Sequence, residues 1–166
     1  RPVRSWRLRV PDDPTVFEDR IQGIQTQRLS RDVGDFVVLR ADGLFAYQFA
    51  VVVDDIEQGI TDVIRGADLL DSTPRQIWLY RCLDREPPCY AHLPLAVNSH
   101  QEKLSKQTHA ASIADCQPVP LLKNVLKFLG MPMTADIDSL SDFWKFAISS
   151  WNIEKVYKKQ KIEYFI

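Results

Sequence analysis

Residues 60–98, ITDVIRGADLLDSTPRQIWLYRCLDREPPCYAHLPLAVN, decide the fold. Ile60 to Ile64 is a β-type run that ends at Arg65-Gly66-Ala67-Asp68. Ser72-Thr73-Pro74 then opens a helix, with a hydroxyl residue to cap it and a proline early, where its missing N–H does no harm. Ile77, Leu79, Tyr80 and Leu83 give that helix its apolar side, and it stops before Pro87-Pro88. Tyr90 to Asn98 reads as a buried strand running into a loop. Strand, helix, strand in this order is a βαβ unit and predicts a parallel sheet. In open α/β sheets ligands collect beyond the carboxyl ends of the strands, so the loops leaving those ends are the first place to seek a site.

The loop after the last strand contains Lys103-Leu104-Ser105-Lys106-Gln107. Two lysines three apart, bracketing a serine on a polar loop, form a compact cationic claw that can close over a polyphosphate. The lysine ammonium is a point charge on a flexible stem, suited to tracking a phosphate that moves. Lysine pairs in loops are also common as plain solvated surface.

Upstream, Val3 to Val10 alternates like a strand in progress, and Pro11-Asp12-Asp13-Pro14 is a turn. Phe17 to Leu29 has strand-like patches, and Asp35 to Arg40 is a short strand closed by the tight turn Ala41-Asp42-Gly43. Phe45 to Val53 is the most apolar run; its β-branched valines favour strand, its length fits a buried helix, and periodicity leaves both open. Downstream, Val119 to Gly130 and Asp138 to Ser150 are amphipathic helices. A boundary near residue 115 divides an α/β part, 1–114, from a helical part, 115–166. Lys155 to Lys161 is a small basic cluster, read as a solvated, fraying end in preference to an RNA-touching patch.

The 166 residues, 45% hydrophobic and 26% charged, are ordinary globular material. No apolar run approaches the roughly 20 residues a bilayer requires, and no charged-then-apolar leader opens the chain, so a soluble, cytoplasmic protein is expected. A net charge of -1 and a pI near 6.3 argue against coating nucleic acid through bulk charge and leave only local contacts. Cys82, Cys89 and Cys116 are odd in number and fit a reducing compartment; with His92 they match no familiar zinc spacing. The chain starts with Arg1 inside an apparent strand, which reads as a cut from something longer.

Three blocks in order, Phe36 to Asp55, Val63 to Gln76 and Lys103 to Gln107, closely resemble class I glutamyl-tRNA synthetases. The lysine loop corresponds to that family's KMSKS signature. The fold this implies is the second half of a Rossmann-like parallel-sheet catalytic domain, followed by a small helical region that contacts an RNA stem; for Phe45 to Val53 it favours helix. Ala67-Asp68-Leu69-Leu70 stands where discriminating members usually carry an acidic residue and then Asp-His or Glu-His. The chain also ends about sixty residues past the loop, too soon for a long anticodon-binding region. Both details resemble the short paralogue that glutamylates the queuosine of tRNA(Asp).

The resemblance implies two steps: ATP activates glutamate as an adenylate, and the glutamyl group then passes to a queuosine hydroxyl of tRNA(Asp). It assigns Lys103, Ser105 and Lys106 to ATP, with Lys103 and Lys106 catalytic, and Tyr47 and Arg65 to glutamate. Arginine can fork onto a carboxylate as ammonium cannot. Magnesium would accompany ATP. The family's HIGH-type signature and zinc-binding cysteines match no segment here, so the isolated chain is expected to be inactive, with a full-length monomer as the working form. The rival readings are a fragment of an enzyme charging tRNA(Glu) and a non-catalytic remnant that binds nucleotide or RNA. Asp54-Asp55, pointing in different directions, read as helix-end or turn residues; His92 reads as core or loop packing, and His109 as a residue near ATP or tRNA.

Overall fold

The computed structural model describes residues 4–105, 113, 116–133 and 136–164. The βαβ unit forms as expected. Strand β5 (Asp62–Gly66) leads through a six-residue 3₁₀ segment, Ala67–Ser72, into a helix at Thr73–Cys82, and the chain returns in a strand at Cys89–Leu93. The two strands are parallel, with Arg65 opposite His92 and Gly66 opposite Leu93. In chain order the other elements are β1 (Trp6–Leu8), β2 (Thr15–Asp19), β3 (Gly23–Gln27), α1 (Leu29–Asp32), β4 (Phe36–Leu39), α2 (Tyr47–Gln58), α3 (Thr73–Cys82), β6 (Cys89–Leu93), β7 (Leu95–Val97), α4 (Pro118–Phe128), α5 (Leu140–Ser150) and β8 (Lys161–Glu163).

The main sheet has the order β3-β2-β6-β5, with β2 parallel to β6 and antiparallel to β3. The Asp35 to Arg40 run becomes β4, which pairs with β1 in a separate antiparallel ribbon. The undecided run is helix: α2 starts at Tyr47 and ends at Gly59, whose φ of 65° lets its N–H reach the carbonyls of Asp55 and Ile56. Burial of Val52, with Phe49, Val51 and Ile56 packed beside it, outweighs the strand propensity of the valines.

Three expectations need correction. Ser72 gives no side-chain cap to α3, because the 3₁₀ segment runs straight into the helix and leaves Ser72 in helical rather than extended geometry; its hydroxyl accepts from Arg75 instead. Tyr90 to Asn98 is two short strands, broken at Pro94, which has no N–H for the ladder. The basic C-terminal stretch is anchored: Val156 is buried, β8 pairs in parallel with β7, and Lys161 Nζ donates to the Gln101 carbonyl at 3.1 Å.

Two apolar clusters hold these elements. One gathers Phe36, Val52, Leu79 and Tyr80 between the ribbon, α2 and α3. The other mixes Ile21 and Ala91 from beside and within the main sheet with Leu126, Met131, Phe143, Ala147 and Val156, so segments on both sides of residue 115 share one core. Pro118 sits at the start of α4, and Ser139 caps α5 by accepting from the Asp142 N–H at 3.1 Å.

Candidate active site

The carboxyl ends of β5 and β6 carry a connected set of polar side chains. Arg65, next to last in β5, donates from Nε to His92 Nε2 at 3.0 Å and from Nη2 to Thr73 Oγ1 at 2.9 Å and Gln76 Oε1 at 2.8 Å. Gln76 in turn donates to Gln48 Oε1 at 2.9 Å, tying α3 to the first turn of α2. The guanidinium carbon lies 5.5 Å from the centroid of the Tyr90 ring. Arg65 is half-buried, and burial pushes its guanidinium below the usual range while Tyr90, Tyr47, Asp55 and Asp19 push it back.

Behind Arg65 stand two fully buried groups. His92 Nδ1 lies 2.6 Å from Asp19 Oδ2, both side chains at 0% exposure. The other Asp19 oxygen accepts the backbone N–H groups of Ile21, Gln22 and His92 at 3.0, 2.8 and 3.1 Å. Burial pushes the Asp19 carboxyl up, but the hydrogen bonds from His92 and from those amides outweigh it and hold the group below its ordinary value.

Tyr47, first residue of α2, is exposed at 60%, and its electrostatic influence reaches Arg65. Asp54 and Asp55 do diverge: Asp54 is exposed, whereas Asp55 is half-buried. Burial pushes the Asp55 carboxyl up, Arg65 opposes this, and Asp54 adds to it. The helix-end expectation holds for the Asp55 carbonyl, which accepts from Gly59 and Ile60. Tyr80 is buried against the same region, where burial and the Asp55 charge push its hydroxyl up to about 12.

Lys103 reaches the tip of β5 from the other side. After β7, Asn98 Oδ1 accepts the N–H groups of His100 and Glu102, and Gln101 adopts a φ of 64°, turning the chain back so that Lys103 bridges Val97. Its ammonium donates to Asp68 Oδ2 at 2.6 Å. Asp68 also comes close to Gly66: a Cβ on that glycine would meet Asp68 Oδ1 at 2.6 Å and Leu95 at 3.1 Å, so a bare α-carbon is what lets the strand tip and Asp68 nest. Ser105 is half-buried beyond Lys103. Lys106 and His109 lie outside the described residues.

His92 is therefore a core residue, as expected, but one whose ring nitrogens bridge Asp19 and Arg65. Asp19, Thr73, Gln76 and Gln48 were not among the predicted site residues. One signal did point to His92: in a parallel βαβ pair it falls directly opposite Arg65. The Nε and Nη2 protons of Arg65 go to protein partners, so the two-nitrogen carboxylate fork expected of it is not available here, and among the described residues only Nη1 is left to meet an anion. Among the described residues no group of three His, Cys, Asp or Glu side chains could hold a metal ion. Cys82, Cys89 and Cys116 are exposed thiols.

A mixed, mainly parallel sheet flanked by helices, with a half-buried arginine at one strand tip and Lys103 near the same tip, fits the catalytic domain of a class I synthetase. Residues 4–155 match the family of class I tRNA synthetases (E and Q), catalytic domain, and the chain belongs to that family. It is 51% identical over 164 residues to the glutamyl-Q tRNA(Asp) synthetase of Dechloromonas aromatica (strain RCB), covering 98% of this chain and 54% of that protein. It is 50% identical over 156 residues to the protein of the same name from Chromobacterium violaceum, covering 94% and 52%. Among solved structures, it is similar to a glutamate-tRNA synthetase from Elizabethkingia anophelis, with a TM-score of 0.77, 25% identity, and coverage of 94% of this chain and 36% of that one. The chain spans about half the length of the curated relatives it matches. The resemblance read from the three sequence blocks is thus borne out.

Proposed function

We propose that the protein carrying this chain activates glutamate with ATP and transfers the glutamyl group to the queuosine of tRNA(Asp). The observation that carries this reading is Arg65, held by four protein hydrogen bonds at a strand tip with no partner for Nη1 among the described residues, in a chain about 50% identical to proteins of that activity by name. A guanidinium so fixed suits one carboxylate of an amino acid, and the exposed Tyr47, close enough to act electrostatically on Arg65, suits the substrate's amino or carboxylate group.

Attack of the other carboxylate on the α-phosphorus of ATP forms the carboxyl–phosphate bond of glutamyl-adenylate and breaks the bond to pyrophosphate, which leaves with its electron pair. Such an in-line displacement depends chiefly on positive charge placed along the phosphates. Lys103, Ser105 and Lys106 would supply the donors, with magnesium accompanying ATP. The Lys103–Asp68 pair is substantially exposed, at 54% and 38%, and exposed pairs contribute only about 0–1 kcal/mol, so this pair by itself holds the ammonium only weakly. The queuosine hydroxyl then attacks the adenylate carbonyl, AMP departs, and the hydroxyl proton is released. We further read the protein as a cytosolic monomer; exposed thiols are compatible with a reducing compartment.

The test is glutamate-dependent ATP–pyrophosphate exchange by the full-length protein with tRNA omitted, and then transfer of labelled glutamate to tRNA(Asp) with and without queuosine. Exchange is expected, with label only on queuosine-containing tRNA(Asp). Label on tRNA(Glu), or exchange that appears only once tRNA is added, would favour conventional charging, and absence of exchange both with and without tRNA would favour a non-catalytic remnant. Arg65→Lys should raise the KM for glutamate by about 10–100-fold, the loss of a charged hydrogen bond. Lys106→Ala should lower the exchange rate by about 10²–10³ with little change in glutamate binding.

A further inference from the structure

Arg65 is fixed less by its own strand than by what stands behind it. Asp19, at the end of β2, and His92, in β6, are both wholly inaccessible, and they meet each other across strands. The carboxylate of Asp19 is itself immobilised, since one oxygen takes three backbone N–H groups and the other faces His92 Nδ1 at 2.6 Å. That short contact requires a proton on Nδ1, donated to the carboxylate. The opposite nitrogen, Nε2, then presents a lone pair 3.0 Å from Arg65 Nε, which has a proton to donate. The other tautomer, or the doubly protonated ring, would set N–H against N–H there and push the guanidinium away. Thr73 and Gln76 fix Nη2, and Gln48 fixes Gln76, so rotation of the guanidinium is blocked on its remaining inner side.

We infer that Asp19 and His92 are positioning residues: Asp19 selects the His92 tautomer, and His92 Nε2 aims the Arg65 guanidinium so that Nη1 faces an anionic ligand. The inference rests on the reading of Arg65 as the ligand for a glutamate carboxylate.

The test uses the full-length protein and two replacements that divide the ring's functions. His92→Asn keeps an amide donor where Nδ1 stood and removes the acceptor toward Arg65. His92→Gln carries an amide oxygen to the place of Nε2. The Arg65 Nε–H resonance, observed by ¹⁵N NMR at a temperature where circular dichroism reports a folded protein, should exchange slowly with solvent in the wild type and in His92→Gln and rapidly in His92→Asn. An unchanged resonance in His92→Asn overturns the positioning role. In pyrophosphate exchange, His92→Asn should raise the KM for glutamate tenfold or more while moving the KM for ATP less than twofold, and His92→Gln should restore glutamate KM to within threefold. On an Arg65→Lys background, His92→Asn should change glutamate KM less than twofold. The same factor on both backgrounds, or an equal rise in the KM for ATP, would mark His92 as structural and defeat the inference. If Arg65→Lys alone leaves glutamate KM unchanged, the carboxylate reading of Arg65 fails, and the resonance still decides whether His92 aims it.

Discussion

At the scale of single residues, the Asp19–His92 pair has a consequence for stability as well as for the site. Replacing the buried carboxylate by an amide weakens the hydrogen bonds it accepts from neutral His92 and the backbone, and hydrogen bonds to a charged group are typically worth about 1.5–3 kcal/mol. Asp19→Asn should therefore lower the unfolding free energy at pH 7 by about that much, measured by urea titration. The sign of its pH dependence comes from the direction of the shift. The folded-state pKa of Asp19 lies below its ordinary value of 3.8, so its stabilisation is complete above that value and is lost as pH falls through the folded pKa. The difference between wild type and Asp19→Asn should accordingly be flat from pH 7 to about 5 and shrink below about 4. A gap that widened in acid would contradict this assignment. Arg65 could be picked out of the sequence because it ends a predicted strand and the resemblance assigns it a ligand. Asp19 could not, because its partner lies 73 residues away and the contact exists only once β2 has paired with β6.

At the scale of elements, two glycines end helices at similar angles for different reasons. Gly59 has a φ of 65° with open space where a Cβ would be; Gly130 has a φ of 85°, and its Cβ would lie 2.4 Å from the Lys155 carbonyl oxygen. Gly59→Ala should cost about 1–2 kcal/mol, the left-handed penalty alone. Gly130→Ala adds an overlap with backbone and should cost about 2–5 kcal/mol in all. Chemical denaturation of the two variants side by side checks the order; equal losses would refute the steric account. Elements with strong local signals were readable from sequence: the βαβ unit, α4, and the Gly43 turn. Phe45 to Val53 was not, since three consecutive valines carry strand propensity while the burial that makes them helix comes from α3 and β4, which no window of sequence contains. The pairing of β8 with β7 was missed for the same reason, being a contact between segments more than sixty residues apart.

At the scale of the whole molecule, β5 ends the main sheet: among the described residues it is hydrogen-bonded to β6 on one side only. Ile64, on the face of β5 opposite Arg65, is 64% exposed. An apolar edge strand is a template for pairing with another copy. The chain by itself should show concentration-dependent self-association by sedimentation velocity, and Ile64→Lys should suppress it while leaving the circular dichroism spectrum unchanged. Persistence of the association in Ile64→Lys would locate the sticky surface elsewhere.

Strand β7 is gripped along both of its flanks. On one, Lys103 bridges Val97 and the Leu104 N–H reaches the Ala96 carbonyl; on the other lies β8, with Tyr164 N–H donating to Val97. The lysine arm and the end of the chain are thereby mounted on a common rail, one strand spacing of about 4.8 Å to either side. Whatever clasps the tail tugs, through that rail, on the arm that would greet the nucleotide.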